Sequence, residues 1–439
     1  MAGPAEIQTR RAKCATLRRM VDRAKLLSLL ICIGAVHAQP DHVEHVEHGP
    51  AEHVPIEIDT ALEWQAVLDR AVESYPRFVE LEARAREADA LTRRSRSLFA
   101  GRPTLMLGYR SDDPLDDFGS AEYDVALGLP LWRFGERRAA GRTGASAVGE
   151  AEAAVAALRW EVAGLLQQIL WDIEHAANEL EVAADSVAIA EDIERVARRR
   201  HAVGDLPLED TLLAEGVVLE RRAALLEREA GLVDAEFAYE LLTGLRTRPP
   251  ARAEPLVEPY VISESHPLLS LAAATAERAR AELALVARGA KGSPQLTIGP
   301  RRQRDPMTDF YTDSVGVEVA VPIGGRAHVA GEVAAAQRRV AEAQAERAAV
   351  ERQLHAELHE ALHRLRTAER ALELAARRAD IAARHREMGR VAFEQGEIDL
   401  VELLRRDETA LLAARQAREL DVRRGRAISA VNHALGKLQ

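Results

Sequence analysis

Large aromatic side chains are scarce in this sequence, at 4% of 439 residues, although 47% of the chain is apolar. The apolar share is mostly Ala, Leu and Val, interspersed with 29% charged residues. That mixture suits long packed helices better than a compact core built on rings. Cysteine is almost missing: the two present, Cys14 and Cys32, both lie near the N-terminus, so the fold does not rest on a disulfide framework. The apolar run from Leu26 to Val36 falls far short of the ~20 residues a membrane-spanning helix requires. Positive charge is in deficit, with a formal net charge of −11, which speaks against nucleic acid as a partner because phosphate binding needs a basic face. No Gly-rich phosphate loop, His-Glu-x-x-His pair or Gly-x-Ser-x-Gly elbow is read in the chain, so no catalytic residue and no cofactor are expected.

What is present begins with a basic stretch (Arg18, Arg19, Arg23, Lys25), the apolar run, and the small-residue exit Val36-His37-Ala38. This is the layout of a secretory signal over residues 1–38. Lipidation at Cys32 is disfavoured by the bulky Leu30-Ile31 before it. Residues 1–38 carry seven Lys/Arg and two Asp/Glu, so their removal takes the net charge from −11 to −16.

The rest of the chain repeats itself. Ser74-Tyr75-Pro76 returns as Ser265-His266-Pro267, Arg102-Pro103 as Ser293-Pro294, and Leu129-Pro130-Leu131 as Val321-Pro322-Ile323. Phe134-Gly135, Val203-Gly204-Asp205-Leu206 and Leu242-Thr243-Gly244 find Gly324-Gly325, Gln395-Gly396-Glu397-Ile398 and Ala434-Leu435-Gly436. All six offsets lie between 190 and 192, which predicts an internal duplication. The halves are read as 60–245 and 261–439, with a Pro-rich extended linker over 246–260 and a His-rich flexible segment over 39–59.

Each half predicts lead-in helices (60–74 and 77–99; 266–289), two short strands and two long helices. The long helices are expected from Glu136 to Val203, Pro207 to Leu245, Arg326 to Gln395 and Asp399 to Leu435. Val155, Leu158, Val162, Leu165, Ile169, Ile173, Ala176 and Leu180 follow a three-four alternation, as do Val350, Leu354, Leu358, Ala361, Leu365, Ala368, Leu372 and Ala375. A helix of ~65 residues is ~100 Å long, which implies an elongated molecule.

The strands separate a channel from a rod. Tyr123, Val125, Leu127 and Leu129 share one face, and Val315, Val317, Val319 and Val321 share another, with Asp124, Ala126, Gly128, Ser314, Gly316, Glu318 and Ala320 opposite. Leu105, Leu107 and Tyr109 alternate likewise, as do Leu296 and Ile298. Segments of this length and alternation suit tilted transmembrane strands, so Val125, Leu127, Val315, Val317 and Val319 are expected to face lipid. Eight of the seventeen aromatics (Phe99, Tyr109, Phe118, Tyr123, Trp132, Phe134, Phe310, Tyr311) gather around these strands, consistent with interfacial girdles. Four strands cannot close a barrel, so a homo-oligomer is expected.

The duplicated plan, the junctions Leu129-Pro130-Leu131 and Val321-Pro322-Ile323-Gly324-Gly325-Arg326, and the turns at Gly204 and Gly396 resemble the TolC-like outer-membrane efflux family. The resemblance covers nearly all of the chain after the signal. It implies a mainly α fold with a small β part, in which three subunits form a twelve-stranded outer-membrane barrel joined to a periplasmic α-helical barrel. It also implies an outer-membrane location and docking to a periplasmic adaptor and an inner-membrane pump, as in tripartite efflux or type I secretion. Gly204 and Gly396 would then mark the periplasmic tip, and Asp205, Asp210, Glu397 and Asp399 beside them are candidates for an acidic gate.

His42, His45, His48 and His53, interleaved with Asp41, Glu44, Glu47 and Glu52, suit Zn²⁺, Co²⁺, Ni²⁺ or Cd²⁺. They look like members of the CzcC type, paired with heavy-metal pumps of the resistance-nodulation-division class. A polar leader without a role is the plain alternative. His355, His359 and His363 stand at i, i+4 and i+8 of one helix, either as a chelating edge or as a solvated or tunnel-facing one. The expected function is passive conduction, with divalent metals as cargo. Drugs, solvents or secreted polypeptides are the alternative cargo, and a soluble periplasmic adaptor or scaffold the alternative class.

Overall fold

A computed structural model describes residues 55–112, 119–251, 254–289, 291–304, 310–323 and 326–437. The predicted signal, Phe118, Gly324, Gly325 and His42, His45, His48 and His53 lie outside the described residues. The elements are β1 (Glu57–Ile58), α1 (Trp64–Ser74), α2 (Phe78–Arg96), β2 (Thr104–Ser111), β3 (Ala121–Pro130), α3 (Glu136–Ala202), α4 (Leu208–Thr243) and β4 (Thr247–Arg248). They continue as α5 (Pro267–Gly289), β5 (Gln295–Arg304), β6 (Tyr311–Ala320), α6 (Arg326–Glu394) and α7 (Leu400–Ala434). Among the described residues no helix is long and apolar enough to cross a membrane.

α3, with 67 residues, extends ~100 Å at 1.5 Å per residue. α4 packs on α3, α3 on α7 and α7 on α6, so the long helices form a layer in the order α4-α3-α7-α6 with α4 and α6 at its edges. The buried side of α6 is the expected one: Leu354, Leu358, Ala361, Leu365, Ala368 and Ala375 are all covered. α3 departs from expectation. Leu165 is exposed, whereas Leu166, Leu170 and Trp171 are buried. The reason is that α3 touches α1, α2, α4, α5 and α7, so its buried surface is far wider than the single seam an amphipathic stripe encodes.

The main core gathers Val67, Leu68 and Val72 of α1 with Leu158, Val162, Leu166 and Ile173 of α3 and Tyr239 of α4. The segments expected to be extended or flexible contain one short regular feature: Glu57–Ile58 pairs in parallel with Thr247–Arg248. Beyond it Glu254 accepts hydrogen bonds from Gln167 (2.9 Å), Ser429 (3.2 Å) and Asn432 (2.9 Å), fastening the Pro-rich linker across α3 and α7. The backbone there also finds partners that a run of prolines does not announce: the Asn432 amide accepts from the Val257 N–H and donates to the Pro255 carbonyl.

The other four strands form one antiparallel sheet in the order β2-β3-β5-β6. β2 and β6 are its edges, just as α4 and α6 are the edges of the helical layer.

Candidate functional site

Strand register turns four separate alternations into one surface. Leu105 pairs with Leu127, Leu127 with Ile298, and Ile298 with Val317, an apolar row across all four strands. Neighbouring rows place Leu107 opposite Val125, and Leu129 opposite Leu296 and Val319. Leu105, Leu107, Val125, Leu127, Ile298, Val315, Val317 and Val319 are all exposed. A contiguous apolar surface of this kind, open to solvent on an isolated subunit, marks an interaction with lipid or protein. All five residues expected on the apolar face are there together.

One end of this face is aromatic. The Tyr109 and Tyr123 rings lie 5.0 Å apart, and the Arg302 guanidinium stands 4.8 Å over the Tyr311 ring. Two residues beyond the other end of β3, the Trp132 indole donates to the Ser97 carbonyl at 3.1 Å. Tyr123 and Trp132 are nine residues apart, ~30 Å along the chain and ~23 Å in height at a strand tilt of ~40°. That matches the ~25 Å apolar band of outer-membrane barrels.

The opposite face is polar and closely spaced. Arg110 pairs with Glu122 at 3.1 Å and with Asp124 at 3.8 Å, and Arg301 pairs with Glu122 at 2.7 Å. Gly299 belongs here for steric reasons, since a Cβ on it would stand 1.9 Å from the Val125 carbonyl oxygen. Gly316 has space: the nearest atom to an added Cβ is 3.9 Å away.

At the far end of the long helices the two hairpin turns use the same device. Gly204 (φ 81°) and Gly396 (φ 77°) adopt the left-handed conformation. The N–H of Asp205 reaches the Arg200 carbonyl and that of Glu397 the Ala392 carbonyl, both at 2.9 Å. This six-to-one closure ends each helix with glycine at the one position where a side chain would be strained. Leu206, Ile193, Ala197, Phe393, Leu400 and Leu403 then pack into one cluster, which brings the two turns together. Arg200 spans them: its guanidinium donates to the Asp205 carboxylate and to the Phe393 carbonyl, each at 2.7 Å, and lies 4.8 Å over the Phe393 ring.

The acidic candidates therefore differ in their surroundings. Asp205 is paired within the subunit, and Asp399 caps α7 by accepting from the Glu402 N–H at 2.8 Å. Asp210 is half-buried and Glu397 is exposed. Just above them a cavity of about 330 Å³ opens between α3, α6 and α7, lined in part by Arg199, Arg386 and Asp407. Asp407 is 4% exposed and its Oδ1 has no hydrogen-bond partner. Burial raises its pKa, and the charges of Arg386 and Arg221 act against that rise.

Two features escaped the sequence reading. Exposed apolar side chains Leu212, Leu219 and Leu226 form a heptad stripe on α4, and Leu374, Ile381 and Met388 form one on α6. Counted from the turn glycines, Leu212, Leu219 and Leu226 stand 8, 15 and 22 residues after Gly204, and Met388, Ile381 and Leu374 stand 8, 15 and 22 residues before Gly396. The seven-residue spacing was visible in the sequence; what hid it was not knowing that these helices are the layer's edges. The second feature is that His359-Glu360-Ala361-Leu362-His363 has the His-Glu-x-x-His spacing, which corrects the expectation that the chain carries no such motif. His355, His359 and His363 are all exposed on one side of α6.

The family model for outer membrane efflux proteins matches residues 67–245 and 262–436. No curated protein sequence matches the chain. Among solved structures, the outer membrane protein VceC of Vibrio cholerae is similar at 18% identity and a TM-score of 0.65, over 85% of this chain and 95% of that one. The CmeC outer membrane channel of Campylobacter jejuni matches at 17% and 0.65, over 85% of each chain. CusC, described by its transmembrane channel formation, matches at 16% and 0.69, over 92% of this chain and 98% of that one. The likeness to these structures is one of fold. The match of the family model over both halves settles membership: the chain belongs to the outer membrane efflux protein family.

Proposed function

We propose that this efflux protein is the passive outer-membrane duct of a tripartite system, working as a homotrimer. The observation that carries the proposal is the coincidence of open edges. The sheet ends in β2 and β6 and the helical layer in α4 and α6, and the helical edges bear apolar stripes at matching heights above the turns. Ring closure sets α4 of one copy beside α6 of the next, antiparallel. Leu212 then meets Met388, Leu219 meets Ile381 and Leu226 meets Leu374, in layers ~12, ~23 and ~33 Å from the turns. Such a head-to-tail interface closes a ring when its rotation divides the circle.

Copy number follows from barrel geometry. Two copies would give eight strands, whose interior side chains fill, whereas three give twelve strands and leave a lumen. The apolar face, with Val125, Leu127, Val315, Val317 and Val319, turns to lipid, and the face of Gly316 and Ala126 turns to the lumen. Closure also pairs the backbone groups of both edge strands, which lipid cannot satisfy. The two similar halves, each supplying two strands and two long helices, descend from an internal duplication.

The helical barrel lies in the periplasm, and its tip docks on an adaptor that couples it to an inner-membrane pump of the resistance-nodulation-division type, the source of transport energy. The cargo reading favoured by the His-rich segment is divalent heavy-metal cations. Deleting residues 41–53 tests it: metal tolerance of cells should fall while trimer formation in outer-membrane fractions is unchanged. Unaltered tolerance would remove the metal reading and leave the duct.

A further inference from the structure

The histidines of α6 have a chemistry that conduction does not use. His355, His359 and His363 project from successive turns of a continuous helix, with Cβ atoms of neighbours ~5–6 Å apart. Two imidazoles at i and i+4 on one helix face are the zinc-holding half of the His-Glu-x-x-His motif. The face is held firmly, because Leu354, Leu358, Ala361 and Leu365 on the adjoining side are buried, three of them in the cluster with Ile428 and Val431 of α7. A rigid helix presents its two ligands without a backbone ordering cost.

The surroundings define what kind of site this is. Glu360, which would be the general base in a peptidase, is ion-paired with Arg364. Among the described residues no three metal-binding side chains converge on one point. The ladder rises ~12 Å from first to last, so one ion can reach two rings but not three. Arg352 and Arg366 stand three residues beyond its two ends and Glu351 four residues before its first histidine, so charges of both signs flank the ladder. Imidazole selects Zn²⁺, Ni²⁺ or Cu²⁺ over Mg²⁺ and Ca²⁺, which prefer oxygen ligands.

We propose that His355, His359 and His363 form a surface metal ladder in which His359 joins either neighbour to hold one borderline divalent cation through two imidazoles, with water completing its coordination. The site stands whatever the duct conducts. Because His359 belongs to both pairs, the three positions are not equivalent, and this asymmetry is the signature to test.

The detergent-solubilised, assembled protein, with His42, His45, His48 and His53 all changed to Ala so that the N-terminal segment contributes nothing, is titrated with Zn²⁺ calorimetrically. H359A should weaken the binding at least ~10-fold, as two-point chelation falls to one. H355A or H363A should each weaken it only about twofold, since one of the two pairs survives. Mg²⁺ in excess should not compete. Native migration of every variant is the folding control, and loss at exposed helical positions is readily tolerated by Ala. Equal losses for all three single variants, or binding untouched by H359A, would overturn the ladder.

Discussion

Substitution of Val317 by Arg is the sharpest test of which way the sheet faces. Val317 lies in the row Leu105-Leu127-Ile298-Val317, six residues from Tyr311 at the aromatic end of β6. Six residues are ~20 Å along the strand and ~15 Å in height at ~40° of tilt, which places Val317 near the middle of a band ~25 Å tall. A lipid-facing Arg at that depth costs ~2–4 kcal/mol, and three copies bring this to ~6–12 kcal/mol per assembled barrel. That is enough to compete with the whole stability of an ordinary domain. The matched control is Gly316→Arg, one residue away on the other face, where an added Cβ has no neighbour closer than 3.9 Å. It should assemble and lower single-channel conductance by narrowing the lumen. The assay is heat-modifiable migration of outer-membrane extracts, followed by conductance in planar bilayers. Normal assembly of Val317→Arg with failure of Gly316→Arg would mean that the polar face meets lipid, and the argument from register would be wrong.

Three further outcomes are expected. Leu219→Glu or Ile381→Glu should shift the protein from trimer to monomer on native gels, since each interface loses side chains whose burial contributes ~1.5–3 kcal/mol apiece; trimers of undiminished heat stability would refute the α4–α6 contact. At the tip, Asp205→Asn, Asp210→Asn and Asp399→Asn combined should raise closed-state conductance or weaken block by divalent cations, and Asn keeps the α7 cap, so unchanged values for both would dismiss the acidic gate. Acid should destabilise the fold through His266, which is 1% exposed, packs against Trp160 and has its pKa pushed down to about 4, first by burial and then by the charge of His433. The folded imidazole stays neutral while the unfolded one takes a proton below ~6.5, so stability present above pH 6.5 is lost as pH falls toward 4, by ~3 kcal/mol in all; melting temperatures of His266→Asn should depend less on pH over that window, and an equal slope would exclude His266 as the cause.

How much of this was legible beforehand depends on how many neighbours each element has. α6 is an edge helix with one long partner, so its three-four pattern from Leu354 to Ala375 reported its buried side correctly. α3 sits among five helices, and the stripe read in its sequence covers only part of its buried surface; Leu165 fitted the pattern and is exposed, while Leu166 did not and is buried. The strands were legible where apolar residues alternate in short runs, Leu105-Leu107, Val125-Leu127-Leu129, Leu296-Ile298 and Val315-Val317-Val319, because a slip of one residue would reverse every side chain. Turn glycines were legible because each ends a helix where φ must be positive. Arg200 was not, because its value lies in reaching Phe393 on a helix 193 positions away. The parallel pairing of Glu57–Ile58 with Thr247–Arg248 was hidden for the same reason: a two-residue ladder has no periodicity to read.

The distribution of charge bears on where a duct of this build could select its cargo. On the polar sheet face Arg110 and Arg301 are held by Glu122 and Asp124 at 2.7–3.8 Å, so these four charges neutralise one another across the strands, and Glu318 adds one further carboxylate to that face. The tip is different. Asp205, Glu209, Asp210, Glu397, Asp399 and Glu402 lie within a few residues of the two turn glycines; Arg200 balances Asp205, and Arg406 and Arg405 balance Glu402. In a ring of three these carboxylates would crowd a narrow place, where fields are focused and like charges repel. The same crowding that draws cations inward would push the hairpins apart, and Arg200, bonded to both turns of its own subunit, opposes that push. Discrimination among charged solutes and the tendency to open would therefore reside together at the helical end.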